Sequence, residues 1–153
     1  MTKQNRAILE NIRKHGWHCL HIAPDDDDQA PFTYSIGFTE SHGAPEVMIF
    51  GLPQDKAHAL LSACADHVSR SKDIRLNVED PNILTGDYKV VFRPILPEHL
   101  DEYAGTAMRY YEDRPFRVVI MFLPDRQHRF PWHPDYSGMP ADEPLAIVEP
   151  FSD

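Results

Sequence analysis

The sequence predicts an α+β fold in one domain: a mainly antiparallel sheet of five or six strands, with barrel-like closure left open, two main helices and a short N-terminal helix. Three observations carry this. Residues 32–38 alternate, with Phe32, Tyr34, Ile36 and Phe38 on one face and Thr33, Ser35, Gly37 and Thr39 on the other, the period of a half-buried strand. Residues 47–50 and 118–123 are unbroken apolar runs, which suit strands covered on both faces. Two later segments repeat apolar residues at helical spacing, and each follows a strand, so a mixed sheet is also compatible.

In chain order, residues 3–14 form an amphipathic helix with Ile8, Leu9 and Ile12 as its stripe and Gly16 as its stop. Residues 17–23 are a strand, and Asp25–Asp28 an acidic loop. The strand at 32–38 leads into a turn-rich linker, Glu40 to Pro45. After the buried strand, Gly51 ends the run and Pro53 opens a helix over 54–70, whose face is Ala57, Leu60, Leu61, Cys64, Ala65 and Val68. Ile74 and Leu76 suggest a short strand, followed by turns at Asp80-Pro81-Asn82 and Thr85-Gly86-Asp87. Residues 88–95 are a strand, and Pro97 opens a second helix with the face Leu100, Tyr103, Ala104, Ala107, Met108 and Tyr111. Half of the 14 prolines fall between Pro115 and Pro150, so residues 124–153 are expected to wrap in extended form, with a short edge strand near Leu145–Val148.

A chain of 153 residues fits one domain able to bury roughly 70% of its unfolded surface. A net charge of −9 argues against general binding to nucleic acid or to an anionic membrane. No apolar stretch approaches the roughly 20 residues of a membrane span, and the polar N-terminus lacks an apolar signal region, so a cytoplasmic location is expected. Cys19 and Cys64 are isolated thiols, expected to stay reduced and structural.

Motif chemistry is sparse. His15, His18, Cys19 and His21 look like metal ligands, but His18 and His21 fall on opposite faces of a strand and no second pair follows, so no metal site is expected. The acidic run lacks the Gly and terminal Glu of a calcium loop. Glu40, His42 and Glu46 surround the central turn; a His beside carboxylates suits a general base, but no nucleophile motif accompanies it. Neither a dinucleotide fingerprint nor a P-loop is present, which leaves open a flavin held without a short motif. The segment 124–132 sets Asp125, Arg126, Arg129 and Trp132 directly after a buried strand. Arg suits a bidentate anion and Trp a planar ligand; equally, Arg126 can pair with a carboxylate while Phe130 and Trp132 pin the tail.

The blocks FTYSIGF, APEV, FGLP and PDRQHRFPW together resemble the bacterial domain of unknown function 4262 family, over most of residues 15–148. Phe38, Ala44 and His128 stand where that family usually has Leu, His and Gly. The resemblance implies a bacterial cytosolic protein and brings neither an activity nor catalytic residues.

Three functional readings follow. The first is a non-catalytic module binding a small molecule or a protein, in a pocket between strand 32–38 and loop 124–136, drawing on Thr33, Ser35, Gly37, His42, Glu46, Asp125, Arg126, Arg129 and Trp132. In its alternative, a neighbouring element simply covers the small-residue face. The second is a flavin-dependent enzyme on a split-barrel-like scaffold. The third is an interaction protein, with a homodimer or other complex docking through Asp25–Asp28.

Overall fold

The computed structural model describes residues 2–24 and 30–149. The run Asp25–Asp28, and any docking through it, lies outside them. The elements are α1 (Lys3–His15), β1 (His18–Ile22), β2 (Phe32–Ile36), α2 (Phe38–His42), β3 (Glu46–Phe50), α3 (Gln54–Ser71), β4 (Glu79–Asp80), β5 (Val90–Pro94), a 3₁₀ turn (Pro97–His99), α4 (Leu100–Tyr103), α5 (Gly105–Tyr111), β6 (Val118–Phe122) and α6 (Asp142–Ala146). Among the described residues the sheet has six strands, in the order β1-β2-β3-β6-β5-β4. Its pairings are antiparallel except between β3 and β6, which run parallel with Val47 opposite Val119. The sheet is open, so the barrel on which the flavin-enzyme reading leaned is not formed.

The two apolar runs sit at the centre of the sheet because both of their faces are covered. Val47, Ile49, Val119 and Met121 pack under α3, with its Leu61, Cys64 and Val68. Met48, Phe50, Val118, Ile120 and Phe122 pack on the other face with Ile8 and Ile12 of α1 and Ala107, Tyr110 and Tyr111 of α5. Each fully buried aliphatic side chain contributes roughly 1.5–3 kcal/mol, so this double layer dominates the fold.

Local signals set the helix ends. Thr2 caps α1, its hydroxyl accepting from the Asn5 N–H at 3.0 Å, and Gly16 closes it in the left-handed region at φ 88°. The expected second helix is broken at Ala104, where φ −117° and ψ 32° leave the helical region just before Gly105. Ala104, Ala107 and Tyr111 of the expected face are buried all the same. Tyr110 is buried in place of Met108, which is 37% exposed.

Two expected strands are absent. Ile74 and Leu76 lie in irregular chain, and the short strand is β4, two residues long, further on. Near the C-terminus a helical turn, α6, replaces the expected strand, and only Val148 bridges to Ile95. Among the described residues no helix is long and apolar enough to cross a membrane.

The strand expected over 32–38 ends at Ile36. Gly37 turns the chain at φ 127°, where a Cβ would lie 2.8 Å from Trp17 Cα and 3.0 Å from Gly16 O. The close approach signalled by this glycine is therefore made by the chain's own β1 entry. Gly37→Ala is expected to cost on the order of 1–3 kcal/mol in urea unfolding, through both strain and displacement of Trp17. A variant as stable as the parent would contradict this.

Candidate functional site

The predicted small-residue face is a buried polar knot. Thr33, Ser35 and Glu46 are each 0% exposed. The Ser35 hydroxyl donates to Glu46 Oε1 at 2.8 Å and accepts from the Val47 N–H at 3.0 Å. The N–H groups of Gly37, Phe38 and Thr39 donate to the same carboxyl at 3.1, 3.0 and 3.1 Å. Tyr111 donates its phenol proton to Glu46 Oε2 and accepts from the Gly37 N–H at 3.1 Å. Burial pushes the Glu46 carboxyl up from its ordinary value, while the bonds from Tyr111, Thr39, Ser35 and Gly37 pull it down. Burial and the neighbouring Glu46 push the Tyr111 phenol far above its usual range. Every donor to Glu46 is a backbone N–H at the start of α2 or a core hydroxyl, so Glu46 satisfies that helix start and ties it to α5.

The other expected site residues scatter. Thr33 Oγ1 lies 2.6 Å from His21 Nδ1. His42 ends α2 with Nδ1 3.4 Å from Lys72 Nζ, and burial and that ammonium lower its pKa. Glu40 instead receives Arg114 at 2.9 Å and the Tyr110 phenol, whose pKa burial and Glu40 push up to about 12. His18 sits 2.8 Å from Asn11, and burial lowers its pKa. Among the described residues no group of three or more His, Cys, Asp or Glu side chains is placed to hold a metal ion.

Asp125 and Arg129 build a tight turn. The Asp125 carboxylate accepts from the N–H groups of Gln127 and Arg129 at 2.9 Å each, from Ser137 N–H at 3.0 Å and from Arg129 Nε at 3.0 Å. Burial opposes ionisation, but the bonds from Arg129, Ser137 and Gln127 win and hold this carboxyl well below the usual range. Asp125 pairs with Arg129, and the carboxylate partner expected for Arg126 is not found among the described residues. Trp132 stacks on Phe130 at 5.1 Å, meets Phe122 at 5.5 Å and lies under the Arg93 guanidinium, on the α1/α5 side of the sheet. It pins the tail, as the structural alternative had it. The expected cavity between strand 32–38 and loop 124–136 is not formed: the strand's small face is sealed, Trp132 packs against the α1/α5-side core, and Arg126 is exposed after β6.

An open cleft lies elsewhere. Because β3 and β6 are parallel neighbours, both end at the same side of the sheet. From there the chain leaves β3 into α3 on one face, while the segment after β6 reaches Phe130 and Trp132 on the other face. Such a divergence leaves a crevice beyond the carboxyl ends of the strands. Here it holds about 500 Å³, lined by Leu52, Lys56, Ala59 and Leu60 from the α3 side, Leu84 and Tyr88 from the preceding loop, and Leu123–Arg126 after β6. A second cleft of about 530 Å³ adjoins it across the Leu123–Arg126 segment and is bounded by Gln127, Tyr136, Ser137 and Met139. Tyr88 closes one wall, its hydroxyl donating to the Arg126 carbonyl at 3.3 Å and its ring stacked on His128 at 4.4 Å.

Of the expected site residues, Asp125 and Arg126 border this cleft. Leu52, Lys56, Leu60, Leu84 and Tyr88 were missed. The signal for Leu52 is the Leu-Pro pair that follows each apolar strand, Leu52-Pro53 and Leu123-Pro124; the others carry none. No curated protein and no solved structure matches the chain. A family model matches residues 11–137, and the chain belongs to that family, described as Domain of unknown function (DUF4262).

Proposed function

We propose that the protein is a non-catalytic binding module for a small, largely apolar molecule, held in the cleft between α3 and the Leu123–Arg126 segment. The observation that carries this is a crevice of about 500 Å³ lined chiefly by leucines, a proline and a tyrosine ring. That size falls in the roughly 300–1,000 Å³ range of small-molecule clefts. An apolar guest gains about 0.8 kcal/mol for each methylene it buries there. The absence of catalysis is read from the lining. It contains no His, Cys or Ser among the described residues, and its one carboxylate, Asp125, is committed to the turn. The Glu46–Tyr111 pair is closed to solvent and occupied by backbone donors. Two free thiols, Cys19 and Cys64, are in keeping with a cytoplasmic setting.

Ala59 tests the reading because it is exposed and lines the cleft. Ala59→Trp should fill the cleft without disturbing the core. A thermal-shift screen of amphipathic small molecules is expected to give stabilising hits with the parent that disappear in this variant. Hits that survive unchanged in Ala59→Trp, or no hits with the parent, would overturn the proposal.

A further inference from the structure

We infer that the guest of this cleft is an anion, an apolar tail ending in a carboxylate, with Lys56 and Arg126 holding its head. The inference rests on the binding reading above and adds the ligand's charge. Three observations converge on it. The chain carries a net charge of −9, yet the charged lining of the cleft is Lys56, Arg126 and Asp125. Asp125 is neutralised in place by the Arg129 guanidinium at 3.0 Å and by three backbone N–H groups. The side chains of Lys56 and Arg126 have neither a hydrogen-bond nor an ion-pair partner among the described residues.

Unpaired cations at the mouth of an apolar crevice, in an otherwise acidic protein, favour an anionic head with its tail in the leucines. A guanidinium suits the two oxygens of a carboxylate, and an ammonium adds a point charge. The backbone of Arg126 is also held in position, while its side chain is exposed. Its carbonyl accepts from Tyr88 at 3.3 Å, and the turn behind it is fixed by Asp125. Arg126 borders both adjoining clefts, so its guanidinium can serve a head group lying across the segment between them.

The test compares octanoate, octan-1-ol and octyltrimethylammonium, which share a tail and differ in head charge, by calorimetric titration. Octanoate is expected to bind roughly tenfold more tightly than octan-1-ol, with the cation weakest. Arg126→Glu and Lys56→Glu should each lower octanoate affinity several-fold more than octan-1-ol affinity, so that most of the preference is lost. Added salt should weaken octanoate alone. Equal or better binding of octan-1-ol, blocked by Ala59→Trp, would overturn the anionic head and leave the apolar cleft standing. No binding of any of the three, or binding indifferent to Ala59→Trp, would overturn both.

Discussion

Glu46→Ala is expected to lower folding stability by on the order of 3–5 kcal/mol, a large part of the roughly 5–15 kcal/mol that holds a domain together. The reason is the number of donors that lose their acceptor. Three backbone N–H groups of Gly37, Phe38 and Thr39 and two hydroxyls, of Ser35 and Tyr111, converge on one fully buried carboxyl. With alanine the Ser35 and Tyr111 hydroxyls can rotate toward other partners and the Gly37 N–H keeps the Tyr111 oxygen, but the Phe38 and Thr39 N–H groups lose their acceptor, and each stranded donor costs about 1–3 kcal/mol. Glu46→Gln should fall between the two, since its oxygen keeps part of the acceptor set and its NH₂ faces N–H groups. Urea denaturation of the three proteins checks the order. An alanine variant within about 1 kcal/mol of the parent would show that water or a rearranged α2 replaces the carboxyl.

Asp125→Ala is expected to release the turn that positions Arg126. The backbone N–H groups of Gln127, Arg129 and Ser137 all end on this one carboxylate. Their hydrogen exchange should accelerate by about tenfold or more, while amides of β3 and β6 stay protected. Acid should act in the same direction. The folded carboxyl titrates below its ordinary value, so its contribution is present above the unfolded pKa of about 3.9 and is lost as pH falls from there toward the folded value. Ligand binding should weaken with the turn, because Arg126 and Pro124 line the cleft from this segment. Unchanged exchange at these amides in the variant would contradict the assignment.

The architecture was legible where one-dimensional pattern and three-dimensional burial coincide. The unbroken apolar runs of β3 and β6 marked strands covered on both faces, and the spacing of Ala57, Leu61, Cys64 and Val68 marked the inner side of α3. The site was less legible, for two physical reasons. Thr33, Ser35 and Gly37 look like an empty floor because their side chains are small. Their polar atoms are instead spent on His21, Glu46 and Tyr111, partners that sequence spacing does not reveal. Arg126 and Arg129 are chemically alike, and only the turn geometry decides that Arg129 takes Asp125 while Arg126 stays unpaired. Leu60 carried the opposite ambiguity. Its helical spacing places it on the core face, yet it is half-buried and lines the cleft.

The central claim is that ligand enters the crevice beyond the carboxyl ends of β3 and β6. Its most direct test is a backbone-amide NMR titration of the isotopically labelled protein with octanoate. The largest, saturable shifts are expected at Leu52, Lys56, Leu60, Leu84, Tyr88 and Arg126, with Ser35 and Glu46 left still. Shifts centred on the Ser35–Glu46 knot, or on the separate cleft of His15, His18 and His58, would contradict it.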